Sequence, residues 1–284
     1  MAFAPKSNKK AGTFVARDPN AKFPVPKAGN RPARISLIVD IGNQNRKDFE
    51  EKDGTLKPQK PADQIAIFLD LTSDVVDYGS DIGMQPYRLM LNKSFAGDID
   101  GINFGVGPIR DADGTIIPGR PENYHPMSVI TKLAKATGTT SIIEGKNLDL
   151  EQLLNKPLMA TVEVKRTEDK NGKLDDKGNI RVYENVNFRG TSEVPEMPDG
   201  SPYPVPDCKL MPRVISFDGA QASDIKYIRR DLLAKIKIAN NYEGSQMQRA
   251  IVEFEGGDAG AIPEPAGKEM PAKFDDAFDD DVPF

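Results

Sequence analysis

The residues most suited to chemistry in this chain are aromatic side chains set beside lysine and arginine. The chemistry they suit is recognition of a polyanion that carries flat rings. Cations meet phosphates, and aromatic faces stack on bases at about 1–3 kcal/mol per base whatever the base. Arg181, Tyr183 and Asn185 share one face of an extended run, with Val182, Glu184 and Val186 on the other. Arg189 closes that run, and Lys165 and Arg166 end the run before it. Tyr87 adjoins Arg88, with Lys93 shortly after. Phe68 alternates with Ile67 and Leu69, so it points away from their apolar row, into a groove or, if the sheet closes differently, into the core. Phe104 lies in a Gly-rich stretch, where it suits a mobile stacker or an anchor that pins its loop.

Catalytic readings find little to stand on. The one histidine, His125, precedes Pro126 and suits a helix start better than a triad. The one cysteine, Cys208, sits among prolines and excludes an internal disulfide. Asp111, Asp113 and Glu122 resemble a calcium loop in spacing, but Gly114 falls at the fourth place rather than the sixth. No phosphate-binding loop, dinucleotide fingerprint or nucleophile elbow is present. A nuclease holding Mg²⁺ on Asp70, Asp74 and Asp77 is the remaining enzymatic alternative. The expectation is no enzyme, no cofactor and no metal.

The elements that must position these residues read as follows. In 284 residues the apolar fraction is 38% and the charged fraction 29%, which suits one modest core with polar extensions. Residues 1–33 form a Pro- and Lys-rich flexible arm. Strands are predicted at Arg34–Ile41, Gln64–Leu71, Tyr87–Asn92, Leu158–Arg166 and Ile180–Arg189. A Gly/Pro-rich insert occupies about 96–124. A helix follows it from Pro126 to Gly138, and a short one covers Leu148–Leu154. Residues 192–212 hold six prolines and read as irregular. A last helix, Asp224–Ala239, has an apolar stripe of Ile225, Ile228, Leu232 and Ile236 amid Lys226, Arg229, Arg230, Lys235 and Lys237. The expected fold is mainly β with helical insertions. Five strands with a helix between the third and fourth, plus an extra C-terminal helix, match an OB-fold barrel spanning 34–240; a generic α+β domain is the alternative.

Charge is segregated although the net value is −5. Residues 1–34 carry eight cations and one carboxylate, whereas 258–284 carry eight carboxylates and two lysines. A basic arm opposite an acidic tail (256–284, read as disordered) suits a chain that handles polyanions, or two solvated ends. No apolar run approaches the ~20 residues of a membrane span, and the N-terminus lacks an apolar signal core. A cytoplasmic location follows, that of the bacterial host if the chain is phage-encoded.

The last residues are Asp279-Asp280-Asp281-Val282-Pro283-Phe284. They resemble the acidic tip of bacterial single-stranded DNA-binding proteins, which has Ile where Val282 stands. In that family the tip docks replication and repair proteins, its terminal aromatic in an apolar pocket and its aspartates on a basic rim. The body is similar instead to the single-stranded DNA-binding proteins of tailed bacteriophages. Arg34–Gly42 with Gln44, Lys60–Leu71, Asp149–Leu158 and Thr161–Val164 carry that likeness, over about residues 30–190. It implies an OB-fold that coats single-stranded DNA in phage replication and recombination, without catalysis or metal. The resemblance of the tip implies partners of the polymerase, helicase, primase or nuclease kind. The alternatives are a decoy that uses the tip to fill host pockets, and an OB-fold protein that prefers duplex DNA.

Overall fold

The computed structural model describes residues 25–77, 84–91, 102–103, 106–107, 123–124, 129–141, 149–169, 171–174 and 177–257. Five long strands dominate it: β1 (Gly29–Gln44), β2 (Ala62–Asp77), β3 (Met84–Met90), β4 (Pro157–Glu168) and β5 (Val182–Ser192). They hydrogen-bond in the spatial order β5-β4-β1-β2-β3, each neighbour antiparallel. The two outer strands, β5 and β3, approach each other, so the sheet is a nearly closed barrel. Helix α1 (Val129–Ala136) falls between β3 and β4 in the chain. Ile102–Asn103, inside the predicted insert, adds a short pairing to β2. Among the described residues no helix is long and apolar enough to cross a membrane.

The barrel core gathers Ala33, Ile35 and Ile38 of β1 with Ile65, Ile67, Leu69 and Leu71 of β2. The predicted apolar row of β2 is therefore the inward row. Leu158, Ala160 and Val162 of β4 join it, and α1 contributes Ile130, Leu133 and Ala134, the i, i+3, i+4 stripe of a helix buried on one side. Gly138, at φ 66°, ends that helix in the left-handed conformation glycine tolerates. The second predicted helix is a short 3-10 turn, Leu150–Leu153, whose N-cap Asp149 accepts from the Glu151 N–H at 2.9 Å.

A second apolar layer covers the outer face of the same strands. Strand β6 (Arg213–Ile215) pairs parallel with Leu37–Val39 of β1 and leads into α2 (Ala222–Ile225), α3 (Arg230–Ile236) and α4 (Gln246–Phe254). Leu37, Val39, Ile41, Ala66, Phe68 and Met90 pack there against Phe217, Ile225, Ile228, Leu232, Ile236 and Ile251. Each such buried side chain contributes about 1.5–3 kcal/mol by area. The predicted stripe of Ile225, Ile228, Leu232 and Ile236 is the buried one, but the single helix over Asp224–Ala239 is not formed. Arg229 is extended (ψ 149°) and splits it into α2 and α3. Helix α4 was absent from the sequence reading. β1 begins at Gly29, inside the segment read as a flexible arm.

Where β1 ends, the two layers are joined tightly. Gly42 has φ 77°, and a Cβ there would meet the Phe217 ring and Asn241 Oδ1, each at 2.6 Å. The Asp40 carboxylate accepts from the Gly42 N–H at 2.9 Å and the Phe217 N–H at 3.4 Å. Asn240 donates to Asn43 and Asn45 at 2.9 and 3.0 Å. Burial pushes the Asp40 pKa above its ordinary value, with the two N–H groups pulling it down and Asp63 and Asp218 adding repulsion.

Gly42→Ala should lose about 3 kcal/mol in denaturant melts, since it combines left-handed strain with a clash against a buried ring; an unchanged midpoint would show the junction to be loose. Because the folded chain holds the Asp40 proton more tightly than the unfolded one, Asp40 favours folding most below about pH 4. That contribution is lost as pH rises from the unfolded pKa through the raised folded one. Asp40→Asn should therefore be more stable than the parent at pH 7, with the gap closing near pH 4 in a thermal-melt series.

Candidate nucleic-acid interface

Five of the ten candidate contact residues fall on one hairpin. β4 and β5 leave the barrel after Val162, Val164 and Val186, and residues 165–168 and 182–184 are exposed. One face of the ribbon pairs Tyr183 with Thr167, Asn185 with Lys165 and Asn187 with Glu163; the other pairs Glu184 with Arg166. Arg181 lies just before β5 rather than within it, and its N–H donates to the Lys173 carbonyl at 2.7 Å. Tyr183 is 43% exposed, and its hydroxyl donates to Asp169 Oδ2 at 2.9 Å. The Asn171 N–H, then that hydroxyl, hold the Asp169 carboxyl below its ordinary pKa. The ring thus stands anchored by its polar end at the base of the turn.

Three of the hairpin cations have carboxylate partners. Arg166 pairs with Glu184 at 3.0 Å, Arg189 with Glu163 at 2.5 Å and Lys165 with Glu163 at 3.7 Å. Arg166 remains 77% exposed in its pair. Exposed pairs of this kind are worth about 0–1 kcal/mol, so a phosphate can displace the carboxylate at little loss. Polar anchoring, an exposed ring and exchangeable cations give the arm the parts that single-strand binding uses.

One aromatic candidate, Phe68, is corrected, and a second, Tyr87, is half-buried. Phe68 is 1% exposed and packs in the outer core against the C-terminal helices, so it offers no face to a base. It does point away from the Ile67 row, but that side is covered as well. Tyr87 pairs across from Leu71 and packs on the barrel core, because the β2–β3 register places it on the inward face. Lys93 and Phe104, with the tip residues Asp279–Phe284, lie outside the described residues.

Arg88 sits on the outer face with a structural partner. Its Nε donates to Asp70 Oδ1 at 2.8 Å, and the Ser36 hydroxyl donates to the same oxygen at 2.8 Å. Asp70 is buried, so Arg88 is what neutralises it. Asp74, the second carboxylate of the nuclease alternative, binds Arg31 at 2.7 Å. Cys208 lies near Asp70, and burial followed by that charge pushes its thiol up to about 11, which keeps it protonated and inert.

Beside Arg88 is a shallow open groove that sequence reasoning missed, bounded by Leu210, Met211, Arg213 and Tyr227. The Arg213 guanidinium lies 3.9 Å above the Tyr227 ring. The signal is present in Lys226-Tyr227 within a basic segment, but a helical stripe alone does not say whether that segment packs, dimerises or contacts DNA.

Arg88→Met should lose about 3 kcal/mol by leaving a buried charge unpaired, and adding Asp70→Asn should recover most of it; additive losses in the double variant would deny the coupling. Searches across protein-family profiles, curated proteins and solved structures yield no match to this chain.

Proposed function

We propose that this chain coats single-stranded DNA without sequence preference and recruits replication or repair proteins through its acidic C-terminal tip. The observation that carries the reading is the concentration of Lys165, Arg166, Arg181, Tyr183 and Arg189 on one exposed arm of a β barrel. Three further features support it. Numbered along the chain, the five strands run 5-4-1-2-3 with the ends approaching, the order of an OB-fold barrel, a common host of single-strand sites. The tip offers an aromatic end to an apolar pocket and aspartates to a basic rim. The basic N-terminal arm supplies charge that the acidic middle of the chain lacks. On this reading the chain is no enzyme: it protects the strand and keeps it unpaired, in the cytoplasm of a bacterial host.

Binding follows from exchange on the arm. A phosphate takes the place of Glu163 beside Arg189 and Lys165, on the face that carries Tyr183, while a base lies on that ring. Every base has a π-face, so affinity is independent of sequence, and released counterions make it depend steeply on salt.

Fluorescence anisotropy with labelled poly-dT and a matching duplex, across a salt series, tests this. The full chain should prefer the single strand, and removal of residues 275–284 should keep or strengthen binding. Tyr183→Leu should weaken it about tenfold, the loss of one stacked base. Equal affinity for both forms would overturn the single-strand reading in favour of duplex, and no binding by either version would leave only the tip, as in a decoy.

A further inference from the structure

We infer that the groove between Arg88, Met211, Arg213 and Tyr227 is a second nucleotide-binding platform, built by the C-terminal layer rather than by the barrel. The inference rests on the single-strand reading above and extends it to residues that reading does not use. The first ground is the stack. The Arg213 guanidinium carbon sits over the Tyr227 ring, 3.9 Å from its centroid, and the Lys226 ammonium is 5.0 Å from the same centroid. Its only hydrogen bond among the described residues runs from Nη1 to Asp224 at 3.1 Å, at one edge of the guanidinium. A guanidinium plane fixed in this way is a surface on which an unpaired base stacks.

The second ground is the groove wall. Met211 is 79% exposed and Leu210 flanks it, 37% exposed. Exposed apolar atoms beside arginines suit a base with its phosphate better than they suit water. The third ground is charge. Between residues 209 and 237 the chain has seven cations and three carboxylates, whereas the hairpin from 163 to 189 has seven cations and six. That stretch of the layer is therefore cation-rich, which draws a polyanion towards Arg213 and Lys226. A base on Arg213, with its phosphate towards Lys226, fits these groups. The ligand class is single-stranded nucleic acid, recognised by stacking and charge without base-edge readout.

The chain has no tryptophan, so Met211→Trp, at a position exposed enough to tolerate it, gives a single reporter on the groove wall. Poly-dT should quench its emission by half or more as anisotropy reports binding. Arg213→Gln should weaken poly-dT binding about tenfold and lower the slope of log affinity against log salt by about one, with the thermal midpoint kept. Full binding by anisotropy without quenching would overturn the second platform while leaving the coating function intact. Unchanged affinity and slope in a folded Arg213→Gln would overturn it equally. Absence of any poly-dT binding by the parent chain would remove both readings. Should Arg213→Gln fail to fold, the tryptophan reporter decides the question.

Discussion

The β1–β2 pair is apolar on both faces, and this constraint organises the rest of the chain. A half-buried antiparallel sheet alternates apolar with polar, leaving one face to water. Here Ile65, Ile67 and Leu69 fill the barrel while Ala66 and Phe68, one residue out of step, need a second cover. The cover is the C-terminal layer, brought in by β6 along β1 and held by the Gly42–Phe217 contact and the Asp40 hydrogen bonds. Once the outer face is closed in this way, a long ligand cannot lie across the middle of the sheet. Among the described residues, what is left open to such a ligand is what projects beyond the sheet, the β4–β5 arm, and the seam where the cover ends, beside Arg88.

How much of this was legible follows from what alternation encodes. It separates the two rows of β2 correctly but carries no record of what lies over either row, so Phe68 read equally well as a stacker and as core. Tyr87 depended on register, which is a property of two strands together; opposite Leu71 it faces inward. The stripe Ile225, Ile228, Leu232, Ile236 identified the buried side of the basic segment. It did not reveal the break at Arg229, because the same apolar positions pack whether the segment is one helix or two. The hairpin was the most legible part, since Tyr183 and Arg166 lie where only local pairing decides their exposure.

Electrostatics divides along the same line. Asp70 is a buried carboxylate whose cation partner, Arg88, is tied to it and to the fold. Breaking that pair strands a charge in an apolar setting. The hairpin pairs lie in water, where separation of the partners is nearly free. One kind of ion pair therefore holds structure and the other is a reserve of exchangeable cations. The net charge of −5 describes neither, because screening at physiological salt confines each interaction to roughly 8 Å.

The Pro-rich segment gains a role in this arrangement. Its residues 193–212 have little regular structure, yet Arg34 fixes them. The guanidinium donates to the Pro206 carbonyl at 2.7 Å, to the Val205 carbonyl at 2.5 Å and to the Asn155 carbonyl, and it pairs with Asp207 at 3.2 Å. Asn155, itself at φ 57°, returns its side chain to Asp207 and accepts from the Cys208 N–H. Prolines limit the freedom of the unfolded segment, so pinning it at one arginine loses less entropy than ordering an ordinary loop of that length would. The segment continues into Leu210 and Met211 and then into β6. Arg34, on β1, thus anchors the segment that leads to the exposed edge of the groove. A surface otherwise made of loop residues takes its position from the same strand, β1, that both cores bury.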